Sequence, residues 1–353
     1  MVRATLSRVV TFRPARLRGR ATEHVTRAPS MRPRRVADGD GSDDNRAVPA
    51  GTDDSNHADQ TPDGQRATQA VAPVALTVAG SDPSGGAGAQ ADLKTFHQHG
   101  VYGAAVMSLL TVQNTRGCEQ VVVLDAALVA AQLRAVLTDL PVRVLKTGAL
   151  GSAANVRVVA ACLRDASTRR PPRVGEPDVA QPLLCVVDPV RLASAGPGGA
   201  LLAEDARDVL RRELLPQVTV LTPNLAEAAW LTGREVQTLP QARDAARALL
   251  DLGPRAVLVK GGHLRGPAVD VLAIDGSLHE LRAERVETRA GHGTGCSLAS
   301  AIAARLAHGE PMLPAVIHAK AWVREALVTA PERGGGTWPL NHFAPVPLRA
   351  RDD

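Results

Sequence analysis

The chain has 353 residues, 44% of them apolar and only 2% aromatic, enough for one large or two average domains with a core built on Ala, Val and Leu. Its net charge of +5 is segregated: residues 1–35 hold ten arginines against Glu23, residues 36–70 hold eight aspartates against two arginines, and the remainder is close to neutral. This argues against a basic nucleic-acid surface on the folded part, and no apolar run approaches the ~18 residues of a membrane span.

Residues 1–70 read as a disordered N-terminal extension, because the stretch from Asp38 to Gln69 lacks the large apolar side chains that offset ordering entropy. The arginine-rich start has the composition of a transit peptide, but an untargeted extension is favoured. At Val74 the pattern changes. VALTVA (74–79) is a short apolar run ending at Gly80, as in a buried parallel strand, and 87–100 has helical spacing with a terminal glycine.

Further strands are expected at 103–110, 142–147, 183–188, 218–222 and 256–260, separated by helices near 125–138, 153–164, 204–214, 224–231 and 240–251. That alternation predicts a parallel sheet with helices on both faces. Residues 269–284 read as a hairpin turning at Asp275–Gly276, and two helices, 294–308 and 311–328, close the domain. The Arg/Pro-rich stretch 165–182 reads as a surface loop. Four cysteines without a CxxC pair fit a reduced, cytoplasmic protein.

Ligands of open parallel sheets bind beyond the carboxyl ends of the strands, so the residues following each strand are the candidates. In AGHGTGCSLASAIAA (290–304), Gly291, Gly293 and Gly295 run into a helix start whose free N–H groups suit a transferring phosphoryl group. Cys296 lies in the first turn, where the same field favours a thiolate. The motif is neither a P-loop nor GxGxxG.

GSDPSGGAG (80–88) is a strand-to-helix turn, with Asp82 bonding its own backbone; Asp92 beyond it reads as a solvated helix-face carboxylate. Asn224 and Glu227 fit a capping box, or else a pair organising Mg²⁺ and its waters. Asp188 ends an apolar strand and needs a cation or donor. Gln113 is either a loop residue or the amide that reads a heterocycle.

In this order, VALTVAGSDPSGGAGAQADLKTF (74–96), VQNTRG (112–117), KTG (146–148), VVDPV (186–190), LLPQVTVLTPNLAEAAWLTG (214–233), VLVKGGH (257–263) and HGTGCSLASAIAA (292–304) resemble the hydroxymethylpyrimidine/phosphomethylpyrimidine kinases of thiamine biosynthesis, in the ribokinase-like superfamily. The resemblance covers about residues 74–330. It implies a ribokinase-like three-layer α/β/α fold, a mainly parallel central sheet flanked by helices, with a kinase domain at 71–332; it leaves 333–353 unexplained, and that stretch reads as a C-terminal tail. It implies ATP with Mg²⁺, small-molecule substrates and, as is common among such enzymes, a homodimer.

By the same resemblance Gln113, Gly80 and Val190 bind the pyrimidine. Asp188, Asn224, Glu227 and Lys260 face the nucleotide phosphates, with Asp188 and Glu227 reaching Mg²⁺, if need be through water. Gly293, Thr294 and Gly295 form the anion hole, and Cys296 is the base. Three departures stand out: Arg191 and Ser194 replace an apolar residue and a lysine, Ala149 replaces a methionine, and Ser297 a threonine. The rivals are a pyridoxal or pyridoxine kinase of the same superfamily, which usually carries Asp at the Cys296 position, and a non-catalytic ligand-binding relative.

Overall fold

Ten strands form one sheet in this computed structural model, which describes residues 7–11, 71–165, 182–193, 199–262, 264 and 266–346. In chain order they are β1 (Ser7–Thr11), β2 (Val74–Ser81), β3 (Tyr102–Asn114), β4 (Gly117–Val123), β5 (Val142–Thr147), β6 (Leu184–Val187), β7 (Val220–Leu221), β8 (Ala256–Val259), β9 (Ala268–Ile274) and β10 (Ser277–Ala283). The spatial order is β1-β10-β9-β8-β7-β6-β5-β2-β3-β4. From β3 through β2, β5, β6 and β7 to β8 all neighbours are parallel.

Each central strand is buried on both sides, which is why the sequence shows near-continuous apolar runs there. Leu76, Val78, Cys185, Val187, Val257 and Val259 face one core, while Ala75, Val186, Ala256 and Leu258 face the other. The first core is covered by α2 (Ala126–Leu137), α3 (Ala153–Arg164), α4 (Ala206–Val209, continued by a π turn to Leu214), α5 (Leu225–Thr232) and α6 (Leu239–Leu250). The second is covered by α1 (Gly88–Gln98), α7 (Thr294–Ala307) and α8 (Met312–Val328). Helices therefore lie on both faces, as the alternation predicts.

The sheet is not parallel throughout. β4 returns antiparallel along β3, and β9 and β10 pair antiparallel beyond β8, around a turn in which Asp275 and Gly276 have φ of 48° and 71°. The expectation for residues 1–70 also needs correction, since β1 pairs parallel with β10; residues 1–6 and 12–70 lie outside the described residues. Most of the 165–182 loop, Ser194 and residues 347–353 lie outside them too.

The C-terminal segment is no free tail. β12 (Trp338–Pro339) pairs with β11 (Ala290–His292), and Leu340, His342 and Ala344 are buried. Its hold is largely non-local: Gln98 Nε2 and Trp322 Nε1 both donate to the Ala344 carbonyl, at 2.9 and 3.0 Å.

Candidate active site

A cavity opens beyond the carboxyl ends of β2, β3, β5 and β6, lined by Gly80, Gln113, Ala149, Val190, His292 and Cys296 among others. It brings together the three residues expected at the ring, Gln113, Gly80 and Val190, with the cysteine. The turn after β2 is built on Asp82. Its carboxylate accepts from the N–H groups of Ser84 (2.9 Å), Gly86 (3.2 Å) and Ala87 (2.8 Å) and from the Ser84 hydroxyl (2.7 Å). His292 Nε2 lies 2.7 Å from the same carboxylate, tying this turn to the loop before α7. Burial alone would raise the Asp82 carboxyl, but the bonds from His292 and Ser84 leave it below the usual carboxylate range.

That second loop crosses from β11 to α7 through Gly293, whose φ of 79° is left-handed backbone suited to glycine. The N–H groups of the first turn, Thr294 to Cys296, have no acceptor within the helix and carry its positive end. Gly295 leaves room for the Lys260 ammonium, since a Cβ there would stand 3.1 Å from Lys260 Nζ and 3.5 Å from Asp188 Oδ2. Thr294 instead turns its hydroxyl back to the Gly291 carbonyl at 2.8 Å, so its side chain shapes the loop.

The expectation that Cys296 favours the thiolate is overturned. Burial pushes its thiol up to about 11, and the opposing pull of Lys146, with the Gly88 N–H, recovers only part of that. The sequence shows the helix start but not that the half-buried thiol sits in the wall of a cavity, beside Lys146, Asp92 and Asp188.

Beside the anion loop, Lys260 Nζ meets Asp188 at 2.6 Å and Glu227 at 4.0 Å. Of the two readings of Asn224 and Glu227, the capping box is the one the structure forms. The capping box is formed, by Glu227 N–H to Asn224 Oδ1 (2.8 Å) and Asn224 N–H to Glu227 Oε2 (2.7 Å), and it presents that carboxylate to Lys260. Burial, reinforced by the nearby Asp188 charge and opposed by Lys260, pushes Glu227 up to about 7. The Arg191 side chain stays out of this cluster, its guanidinium facing Glu204 at 3.9 Å and lying 5.7 Å over the Trp230 ring, while its backbone N–H bonds Glu227.

Two features escape the sequence reading. Asp92 is fully buried and paired with Lys146 at 2.7 Å, not solvated. The stripe Ala89–Asp92–Phe96, at helical spacing on one face of α1, is the signal that would have placed it inside. His292 is the other, and nothing in its local sequence sets it apart from a loop residue.

Glycines at a helix start that suits an anion, a lysine–carboxylate cluster and a cavity at the strand ends are the features of a kinase of the ribokinase-like class. The phosphomethylpyrimidine kinase family model matches residues 82–341. A hydroxymethylpyrimidine/phosphomethylpyrimidine kinase of Rhizobium meliloti (strain 1021) is 46% identical over 275 residues, which are 76% of this chain and 97% of the relative. A phosphomethylpyrimidine kinase from Clostridium difficile 630 superposes with a TM-score of 0.60 at 35% identity, covering 72% of this chain and 99% of that one. The pyridoxal kinase of Staphylococcus aureus, solved with AMP-PCP and pyridoxal, superposes with a TM-score of 0.67 at 28% identity, covering 77% and 94%. The chain belongs to the phosphomethylpyrimidine kinase family.

Proposed function

We propose that this chain uses ATP to phosphorylate the hydroxymethyl group of 4-amino-5-hydroxymethyl-2-methylpyrimidine, and then phosphorylates the monophosphate to the diphosphate, in thiamine biosynthesis. The observation that carries the reading is that Gln113, an amide able to donate and accept toward one ring, lines the same cavity as Cys296 and the glycine loop.

In the first step the hydroxyl oxygen bonds to the γ-phosphorus, the bond to the bridging oxygen breaks with its electron pair leaving on ADP, and the hydroxyl proton passes to the Cys296 thiolate, the minor form of that thiol at neutral pH. The N–H groups of Gly293 to Cys296 hold the migrating phosphoryl group, and Lys260 neutralises charge beside it. In the second step the acceptor is a phosphate oxygen already largely deprotonated near neutral pH, so the base matters less.

Among the described residues no group of three or more His, Cys, Asp or Glu is disposed to hold a metal alone. Asp188 and Glu227 nevertheless fit Mg²⁺ held through water and the nucleotide phosphates, since the neighbouring Asp188 charge adds to the cost of ionising buried Glu227, a cost that a cation would relieve. Bound there, Mg²⁺ would neutralise phosphate charge.

The compartment proposed is the cytoplasm, where the four free cysteines stay reduced; no helix among the described residues is long and apolar enough to cross a membrane. The assembly proposed is a homodimer covering the β3–β4 hairpin, where Leu110, Val112 and Val122 are 45%, 51% and 46% exposed and Leu110 lies opposite Val122. Leu110→Glu should give a monomer by sedimentation.

Single-turnover ADP release with the pyrimidine and with pyridoxal in competition tests the substrate; preference for pyridoxal would overturn it. Cys296→Ala should slow the first phosphorylation by ~10²–10⁴-fold and the second less. Because the thiol is held up near 11, the first-step rate should also climb about tenfold per pH unit from neutral toward 10 in the wild type. Unchanged rates for both steps in Cys296→Ala would show that the thiol is structural.

A further inference from the structure

Behind Cys296 lies a buried ion pair for which phosphoryl transfer itself gives no reason. Lys146 Nζ reaches both oxygens of Asp92, at 2.8 and 2.7 Å, and neither side chain is exposed to solvent at all. Asp92 also accepts from Thr77 Oγ1 and Ser300 Oγ, both at 2.7 Å, so α1, β2, β5 and α7 all contribute to the network. Ser300 stands one helical turn after Cys296 on the same face of α7, which sets the pair directly behind the thiol. A Cβ on Gly148, a residue of the cavity wall, would stand 3.3 Å from the ammonium.

Two charges taken wholly out of water are costly, and apolar residues of similar volume commonly serve a core as well or better. Packing therefore gives no reason for this pair. We infer that Lys146 and Asp92 set the charge state of Cys296: Lys146 is the fixed counter-charge for the sulfur anion, and Asp92 holds that ammonium in place while cancelling part of its effect. Neither touches substrate, so both are positioning residues. The charged groups facing the thiol are Lys146 from β5, Asp92 from α1, Asp188 from the end of β6, and Lys260 from the end of β8. After burial itself, Lys146 is the largest influence on the thiol and Asp92 the next, with opposite signs.

This inference takes its meaning from the proposed role of Cys296 as base, but its test does not depend on that role. In the substrate-free full chain, the rate of iodoacetamide alkylation at Cys296 is followed against pH, with peptide mass spectrometry separating it from Cys118, Cys162 and Cys185. Lys146→Met should move the titration midpoint up by roughly one unit and Asp92→Asn should move it down by a similar amount. Lys146→Arg should restore the wild-type midpoint. A purely structural pair would shift both single variants the same way, and that result overturns the inference.

Either single variant leaves one buried charge unpaired and can fail to fold. The doubly neutral Asp92→Asn/Lys146→Met avoids this, and its midpoint should rise, by less than for Lys146→Met; an unmoved midpoint there also overturns the inference. The pH–rate profile of the first phosphorylation should shift with the midpoint while KM for ATP stays put. Midpoints that shift as expected beside an unmoved rate profile uphold the charge setting and sink Cys296 as the base.

Discussion

Gln113 sits at the inner end of β3, and its amide nitrogen lies 3.3 Å from His292 Nε2, which in turn meets Asp82. The amide proposed to read the ring is thus backed by the turn after β2 and the loop before α7. A site built to pair a ring's donor and acceptor leaves buried groups unsatisfied when the amide is gone. Gln113→Leu should therefore weaken use of the pyrimidine by about 1–3 kcal/mol with ATP affinity nearly unchanged; equal weakening of both ligands would move Gln113 out of the ring site. At this scale Cys296 and Asp188 stood out by position, at a helix start and at a strand end, whereas Gln113, which lies within β3, and Asn224 and Glu227, which form a capping box, were singled out by the family resemblance. Lys146, Asp92 and His292 were not legible, since what distinguishes them is burial and partners 54 and 210 residues away in the chain.

Elements defined by local pattern came out close to expectation: β5 and α3 have the ends that the apolar runs imply, and the Asp275–Gly276 hairpin turns where its residues demand. β4 was missed because its GCEQVVV strand borders solvent on the sheet edge and offers no buried run. The C-terminal segment was missed for a different reason. GGGTWPLNHFAPV has no period, and its order comes from partners elsewhere: Thr337 N–H on the Thr115 carbonyl, β11 beside Trp338, and the Ser297 hydroxyl 3.2 Å from His342 Nε2.

Together with His99 at the end of α1, this segment should make the fold acid-sensitive. His99 packs edge-on against Trp322 with ring centroids 4.7 Å apart, and His342 flanks the same indole at 6.5 Å. Burial is the main cause holding each imidazole down, to about 4. Both are therefore neutral in the folded chain at pH 5, whereas the unfolded chain takes up protons below about 6.5. The stability they support is complete above pH 6.5 and drains as pH falls toward 4, by up to about 3 kcal/mol each. Melting temperatures measured between pH 7 and 4.5 should fall, and less steeply in His342→Gln. An identical slope in that variant would clear His342 of the effect.

For the whole molecule, the three layers were legible because α/β alternation needs only apolar runs and helical spacing, while strand order is a matter of pairing between distant segments. That order bears on residues 1–70. β1 lies at one end of the sheet, paired only to β10, while the cavity opens at β2, β3, β5 and β6, with four strands, β7 to β10, between β1 and β6. The family match begins at residue 82, and β10 keeps its antiparallel partner β9 without β1. Removing residues 1–70 takes away one edge strand of five residues and frees the β10 edge. The loss should be about 1 kcal/mol, or ~2–4 °C in Tm for a domain of this size, with kcat for both phosphorylations within about twofold of the full chain. The freed edge makes slow self-association at high concentration the expected side effect, visible by light scattering. A truncated protein that melts tens of degrees lower, or that folds and yet loses the first phosphorylation, would place part of the kinase within those 70 residues.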